Sequence, residues 1–121
     1  MKEPQMKMIQ SIAQALYDRK GSNILAIDVR EVSSMTNFYI IAEGAVERHV
    51  QALSREVVAK FRELGYQVLH VEGDQTGDWM VVDCGEIMIH ILTPEMRERY
   101  ALEQLWKDGK LIELDIKKED E

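Results

Sequence analysis

The sequence predicts one α/β domain, with three helices set against a mixed sheet of about five strands in the order α-β-β-α-β-β-β-α. Apolar residues recur at helical spacing in separate stretches, short runs rich in β-branched and aromatic residues lie between them, and glycines or turn formers mark the junctions. A chain of 121 residues is long enough for one domain with a genuine core.

Residues 4–19 place Ile9, Ile12, Ala13 and Leu16 on one helical stripe, with Pro4 in the first turn and Gly21 as a stop. The apolar run 24–29 reads as a strand. Ser33 to Asn37 are turn formers, and they lead into 38–42 (FYIIA), a second strand. The clearest helix covers 46–64, where Val50, Leu53, Val57, Phe61 and Leu64 step by three and four. Gly65 stands where a left-handed cap would end it. Residues 66–71 read as a third strand and 72–78 as a polar loop. Residues 79–83 and 86–92 form a hairpin about Cys84-Gly85. Thr93-Pro94 opens a last helix running to about residue 107, and Gly109 closes it. A short extended piece over 111–116 and a frayed, charged end complete the chain. The domain is expected over 1–110, with 111–121 as a charged tail.

With a turn at Cys84-Gly85, Asp83 pairs with Glu86 and strand alternation sorts the hairpin into two faces. Met80, Val82, Ile87, Ile89 and Ile91 form a wholly apolar core face. Trp79, Val81, Asp83, Glu86, Met88 and His90 form a mixed face, with Trp79 opposite His90. Such a face suits a protein-binding patch, and equally suits a surface covered by the last helix. A bulge would transfer Val82 and Cys84 to the mixed face.

The formal charge of −7 leaves few cations to neutralise a phosphate backbone, which argues against nucleic acid and for a basic protein partner. The single cysteine excludes an internal disulfide and fits a reducing compartment. No apolar run is long enough to span a membrane, and the first residues lack signal or transit character, so a bacterial cytoplasmic protein is expected.

His49, His70 and His90 are isolated in sequence, without metal-ligand spacing, so neither metal nor cofactor is expected. Cys84 and His90 lie six residues apart, too far at about 3.3 Å per residue to share a proton along one strand. Asp28, Asp83 and Glu86 are strand or turn acids of the kind that hold magnesium in nucleotidyl transfer, but no glycine-rich loop opens a helix beside them. Arg48-His49 begin the long helix at its positive end, an unfavourable place for cations unless they make a contact.

Five segments then point to one family. Ser33-Ser34-Met35-Thr36-Asn37-Phe38, Arg48 to Ala52 (RHVQA), Glu72-Gly73 with Gly77-Asp78-Trp79, Asp83 to His90 (DCGEIMIH) and Arg97 to Trp106 (RERYALEQLW) resemble, in order and in register, motifs of the ribosomal silencing factor or Iojap family. The resemblance runs from about residue 5 to residue 107. It implies a nucleotidyltransferase-like fold without catalysis. It also implies binding to the large-subunit ribosomal protein L-fourteen on the face that meets the small subunit, which blocks subunit joining and represses translation in starvation. Organellar relatives act in large-subunit assembly.

The resemblance places the docking surface on the hairpin. It makes Trp79 an aromatic anchor and Val82 and Cys84 apolar contacts, where the unbulged pattern puts the latter two on the core side. Asp83 and Glu86 become partners for Lys or Arg, with Glu72, Met88 and His90 on the same surface. Two positions depart from the family pattern. Asn37 stands where aspartate is common, and Cys84 where a larger apolar residue is usual. The alternative is a nucleotide-binding enzyme using Asp28 and Asp83, and the sequence leaves open a homodimer through a strand edge or the first helix.

Overall fold

The computed structural model describes residues 4–73, 77–101, 104 and 107–118. Its elements are α1 (Pro4–Asp18), β1 (Ser22–Asp28), β2 (Phe38–Glu43), α2 (Glu47–Glu63), β3 (His70–Gly73), β4 (Trp79–Asp83), β5 (Ile87–Leu92), α3 (Pro94–Tyr100) and β6 (Lys110–Ile112). The sheet has six strands in the order β3-β4-β5-β2-β1-β6. Only β2 and β5 run parallel among these pairs; the others are antiparallel.

α1 and α2 pack on each other and on one face of the sheet. There Ile9, Ile12, Leu16, Val50, Leu53, Val57 and Phe61 meet Phe38, Ile40, Val82, Ile87, Ile89 and Ile91 in the main core. The helical stripes expected from the sequence are therefore the buried ones, except that Leu64 is the C-cap of α2 and is exposed. Both helices end in paired cap bonds: Gly21 N–H to Leu16 O with Lys20 N–H to Tyr17 O, and Tyr66 N–H to Phe61 O with Gly65 N–H to Arg62 O. In the first of these the left-handed residue is Lys20, not the glycine.

The other face carries a smaller cluster of Ile27, Val29, Tyr39, Ile41 and Leu92, with Leu25, Trp79, Met88 and Met96 partly buried against it. α3 covers only one end of this face, through Met96 and Tyr100. Thr93 caps α3, accepting from Met96 N–H at 3.4 Å. Arg97 is buried; it donates to Asn23 O and pairs with Glu43 at 3.4 Å, which ties α3 to β1 and β2.

Several sequence expectations are corrected. The third strand begins at His70 rather than 66 and takes in Glu72 and Gly73, which were expected in a loop. α3 ends at Tyr100, with Ala101 left-handed as its cap; most of 102–106, where the helix was expected to continue, lies outside the described residues. A sixth strand pairs with β1, and residues beyond it run along α1. Asp115 N–H donates to Gln10 Oε1 at 3.0 Å and Lys117 N–H to Gln14 Oε1 at 2.8 Å. Through residue 118 the expected tail is thus part of the domain, because Gln10 and Gln14 satisfy its backbone. The expected frayed end, 119–121, lies outside the described residues.

The candidate docking face

The hairpin turn falls on Gly85-Glu86, not Cys84-Gly85. Cys84 N–H donates to Ile87 O at 2.9 Å, and Gly85, the first loop residue, has φ +86°. The Asp83 carboxylate accepts Gly85 N–H at 2.8 Å and so caps the turn. Asp83 therefore pairs with Met88, Val81 with His90 and Trp79 with Leu92, in place of the expected pairs Asp83 with Glu86 and Trp79 with His90. The slip totals two residues, so each strand residue stays on its expected face.

On the face away from α1 and α2, neighbouring strands build three rows. His70, Asp83, Met88, Tyr39, Ile27 and Leu111 form one; Glu72, Val81, His90, Ile41 and Leu25 the next; Trp79, Leu92 and Glu43 the last. Trp79, Val81 and Met88 are each half-buried. The Trp79 indole N–H donates to His90 Nδ1 at 3.1 Å, and its ring lies 4.9 Å from that of Tyr100. His90 is 8% exposed and sits 5.6 Å from the Tyr39 ring. Burial pushes its pKa down to about 4, so the ring is neutral near pH 7 with Nδ1 as acceptor. Burial likewise raises the Tyr39 phenol, against a hydrogen bond with Ser33. A shallow hollow of about 560 Å³, lined by Glu72, Gly73, Trp79 and Val81, opens beside the indole.

Acids rim this face. Glu72 is exposed and 3.4 Å from His70, and Asp83 is half-buried at the turn. Glu86 is exposed in the turn rather than on a strand, and it accepts from Gln5 at 3.1 Å. The hairpin tip also anchors the loop after β1: Asn37 and Phe38 N–H both donate to Glu86 O at 3.0 Å, and Thr36 Oγ1 donates to Gly85 O at 2.9 Å. Asn37 thus serves through its backbone here. Met35, next to Thr36 in the chain, is 74% exposed.

Two residues assigned as contacts by family resemblance lie elsewhere. Val82 is fully buried beneath the helices, where the alternation pattern had placed it; with no surface to offer, it is removed from the docking set. Cys84 packs against the same core, and its thiol donates to Gln67 O at 3.2 Å. Burial, then Asp83 and Glu86, push that thiol's pKa up, which makes it a poor nucleophile. Sequence reasoning missed Tyr100, Arg97 and Met35. The two hydrophobic residues stood outside any strand pattern, and only the tertiary fold shows that Arg97 is buried.

The carboxylates of the enzymatic alternative do not meet. Asp28 shares its face with Ala26 in the main core, whereas Asp83 shares the opposite face with Met88. Asp28 is instead clamped by Arg30 at 2.7 Å, whose hydrogen bonds hold its pKa low. Among the described residues no three of His, Cys, Asp and Glu converge as a metal site.

A family model described as "Ribosomal silencing factor during starvation" matches residues 2–121. The chain belongs to the ribosomal silencing factor family. It is 33% identical over 112 residues to the Bacillus subtilis ribosomal silencing factor, covering 93% of this chain and 95% of that one. It is also 31% identical over 101 residues to the mouse protein "Mitochondrial assembly of ribosomal large subunit protein 1", covering 81% of this chain and 44% of the mouse protein. A crystal structure from Chromobacterium violaceum superposes with a TM-score of 0.82 at 31% identity, covering 96% of this chain and 95% of that one. The mixed α/β fold is therefore that of ribosomal silencing factors.

Proposed function

We propose that this silencing factor binds ribosomal protein L-fourteen of the large subunit through the hairpin face and, seated there, blocks joining of the small subunit. The observation that carries this reading is the open, mixed face itself. Trp79, Val81 and Met88 are only half-covered, Glu72 and Asp83 share their face and Glu86 stands at the hairpin tip, an apolar centre with anionic neighbours suited to a basic protein. Family membership supplies the ribosomal context, and the mouse relative's name ties it to the large subunit. Binding, not catalysis, is the activity: Cys84 is a protonated structural thiol and Asp28 and Asp83 face opposite ways. A role in large-subunit assembly would use the same face, since an early-bound factor shields the same surface.

Binding of purified L-fourteen to the wild type, Trp79→Ala and Val81→Lys, with a thermal melt of each, tests this. Trp79→Ala should weaken binding by about 2 kcal/mol, roughly thirtyfold. Val81→Lys sets a cation at the centre of the face without touching the main core, and should weaken binding at an unchanged melt. Full-strength binding by both variants, or no binding by the wild type, would overturn the assignment.

A further inference from the structure

The opposite side of the sheet offers a second surface. β3 is an edge strand, exposed at all four residues, and its outer backbone groups face away from β4. Val71 and Gly73 pair with Val82 and Met80, so they point toward α2; Val71 is 43% exposed and nearby Leu69 59%. Between β3 and α2 runs an open groove of about 510 Å³, lined chiefly by Arg55, Val58, Arg62, Val71, Gly73 and Met80. The Met80 thioether lies across Gly73: a Cβ there would stand 2.1 Å from the sulfur and would push that side chain aside.

Arg48, Arg55 and Arg62 recur every seven residues along α2 and therefore share one stripe, about 10 Å between neighbours. Arg19, Arg30, Lys60 and Arg97 each pair with a carboxylate, but no such pair involves Arg48, Arg55 or Arg62 among the described residues. In a chain of net charge −7 these exposed cations, without a carboxylate partner among the described residues, are open to an outside anion.

We propose that the groove between α2 and β3 takes an extended acidic peptide segment of a partner protein, added as a strand to β3. The peptide's backbone would bond the open edge, and every second side chain, on its α2-facing side, would enter the groove, apolar ones over Met80 and acidic ones against Arg55 and Arg62. A nucleic acid would use neither the strand edge nor the apolar floor. A second copy paired through β3 would bring two arginine stripes to one seam. Because the hairpin face lies across the sheet, both surfaces can be occupied at once.

A fluorescein-labelled peptide carrying valine and glutamate at successive groove-facing positions, with threonine between them, is the probe, read by polarisation and by amide shifts in the full chain. Saturable, salt-sensitive binding is expected, with shifts at His70, Val71, Arg55 and Val58. Arg55→Glu with Arg62→Glu should weaken it at least about tenfold. Both side chains are exposed, so the melt should not move. Trp79→Ala should leave peptide affinity unchanged, which separates this site from the hairpin face. Absence of saturation, binding that survives the double charge reversal, displacement of the peptide by an oligouridylate, or self-association that buries β3 would each overturn the proposal.

Discussion

Trp79 shows how one side chain serves both the fold and the face. Its indole is fixed on one side by His90 and on the other by Tyr100, which leaves the remaining edge outward in a defined orientation. A preordered aromatic loses little freedom on binding, and such residues anchor interfaces. The arrangement requires a neutral His90, since a protonated Nδ1 can no longer accept the indole N–H. The folded pKa near 4 lies below the ordinary value of 6.5, so the unfolded chain binds more protons between the two. This stabilisation is complete above about pH 6.5 and is lost as pH falls toward 4, amounting to about 2 kcal/mol by pH 5. Urea melts from pH 8 to 5 should show that slope in the wild type, and His90→Gln should be flatter by about this amount. A variant with the wild-type slope would mean His90 is not the titrating group.

At the scale of elements, most of the fold is legible in residue spacing and the hairpin register is not. α1 and α2 follow directly from their apolar stripes, and their positions fix the core face of β4 and β5. The turn was ambiguous because primed hairpin turns accept glycine at either loop position. Asp83 breaks the tie through its bond to Gly85 N–H, an interaction invisible to hydropathy. Faces survived the error since a slip of two preserves parity, whereas Val82 as a contact residue did not. The extended piece expected over 111–116 is a strand only at Lys110–Ile112, and its pairing with β1 is tertiary, which spacing along the chain does not show. Arg48-His49 shows the same limit. His49 Nδ1 accepts Ala45 N–H at 2.9 Å and Nε2 meets Arg19 O at 2.7 Å, so the imidazole joins the start of α2 to the end of α1. This explains His49, the second residue of that pair, as a link between the two helices. His49→Ala should cost about 0.5–1.5 kcal/mol in a urea melt while leaving L-fourteen affinity unchanged. A loss of affinity at full stability would instead place His49 in the interface.

At the scale of the molecule, charge is divided between the two faces of the sheet. The arginine stripe of α2 lies on one side, and Glu72 and Asp83 lie on the other, with Glu86 at the hairpin tip. The hairpin side thus adds its local acids to an overall charge of −7, and a basic partner approaching it meets an attractive field before any contact forms. Such a field acts mainly on the rate of encounter, whereas on the proposed docking face the half-buried Trp79, Val81 and Met88 would control dissociation. Glu72 and Glu86 are exposed and carry no buried hydrogen-bond duty, so converting both to glutamine should leave the melt unchanged. Stopped-flow association with L-fourteen should then slow about three- to tenfold at low salt, with little change in the dissociation rate. Raising ionic strength should erase the difference, because screening at about 8–10 Å shields rim charges before it reaches contact pairs. Trp79→Ala should show the opposite pattern, faster dissociation with nearly normal association. If the double glutamine variant instead dissociates faster and associates normally, Glu72 and Glu86 are contact residues, and the field that guides the partner arises elsewhere on the molecule.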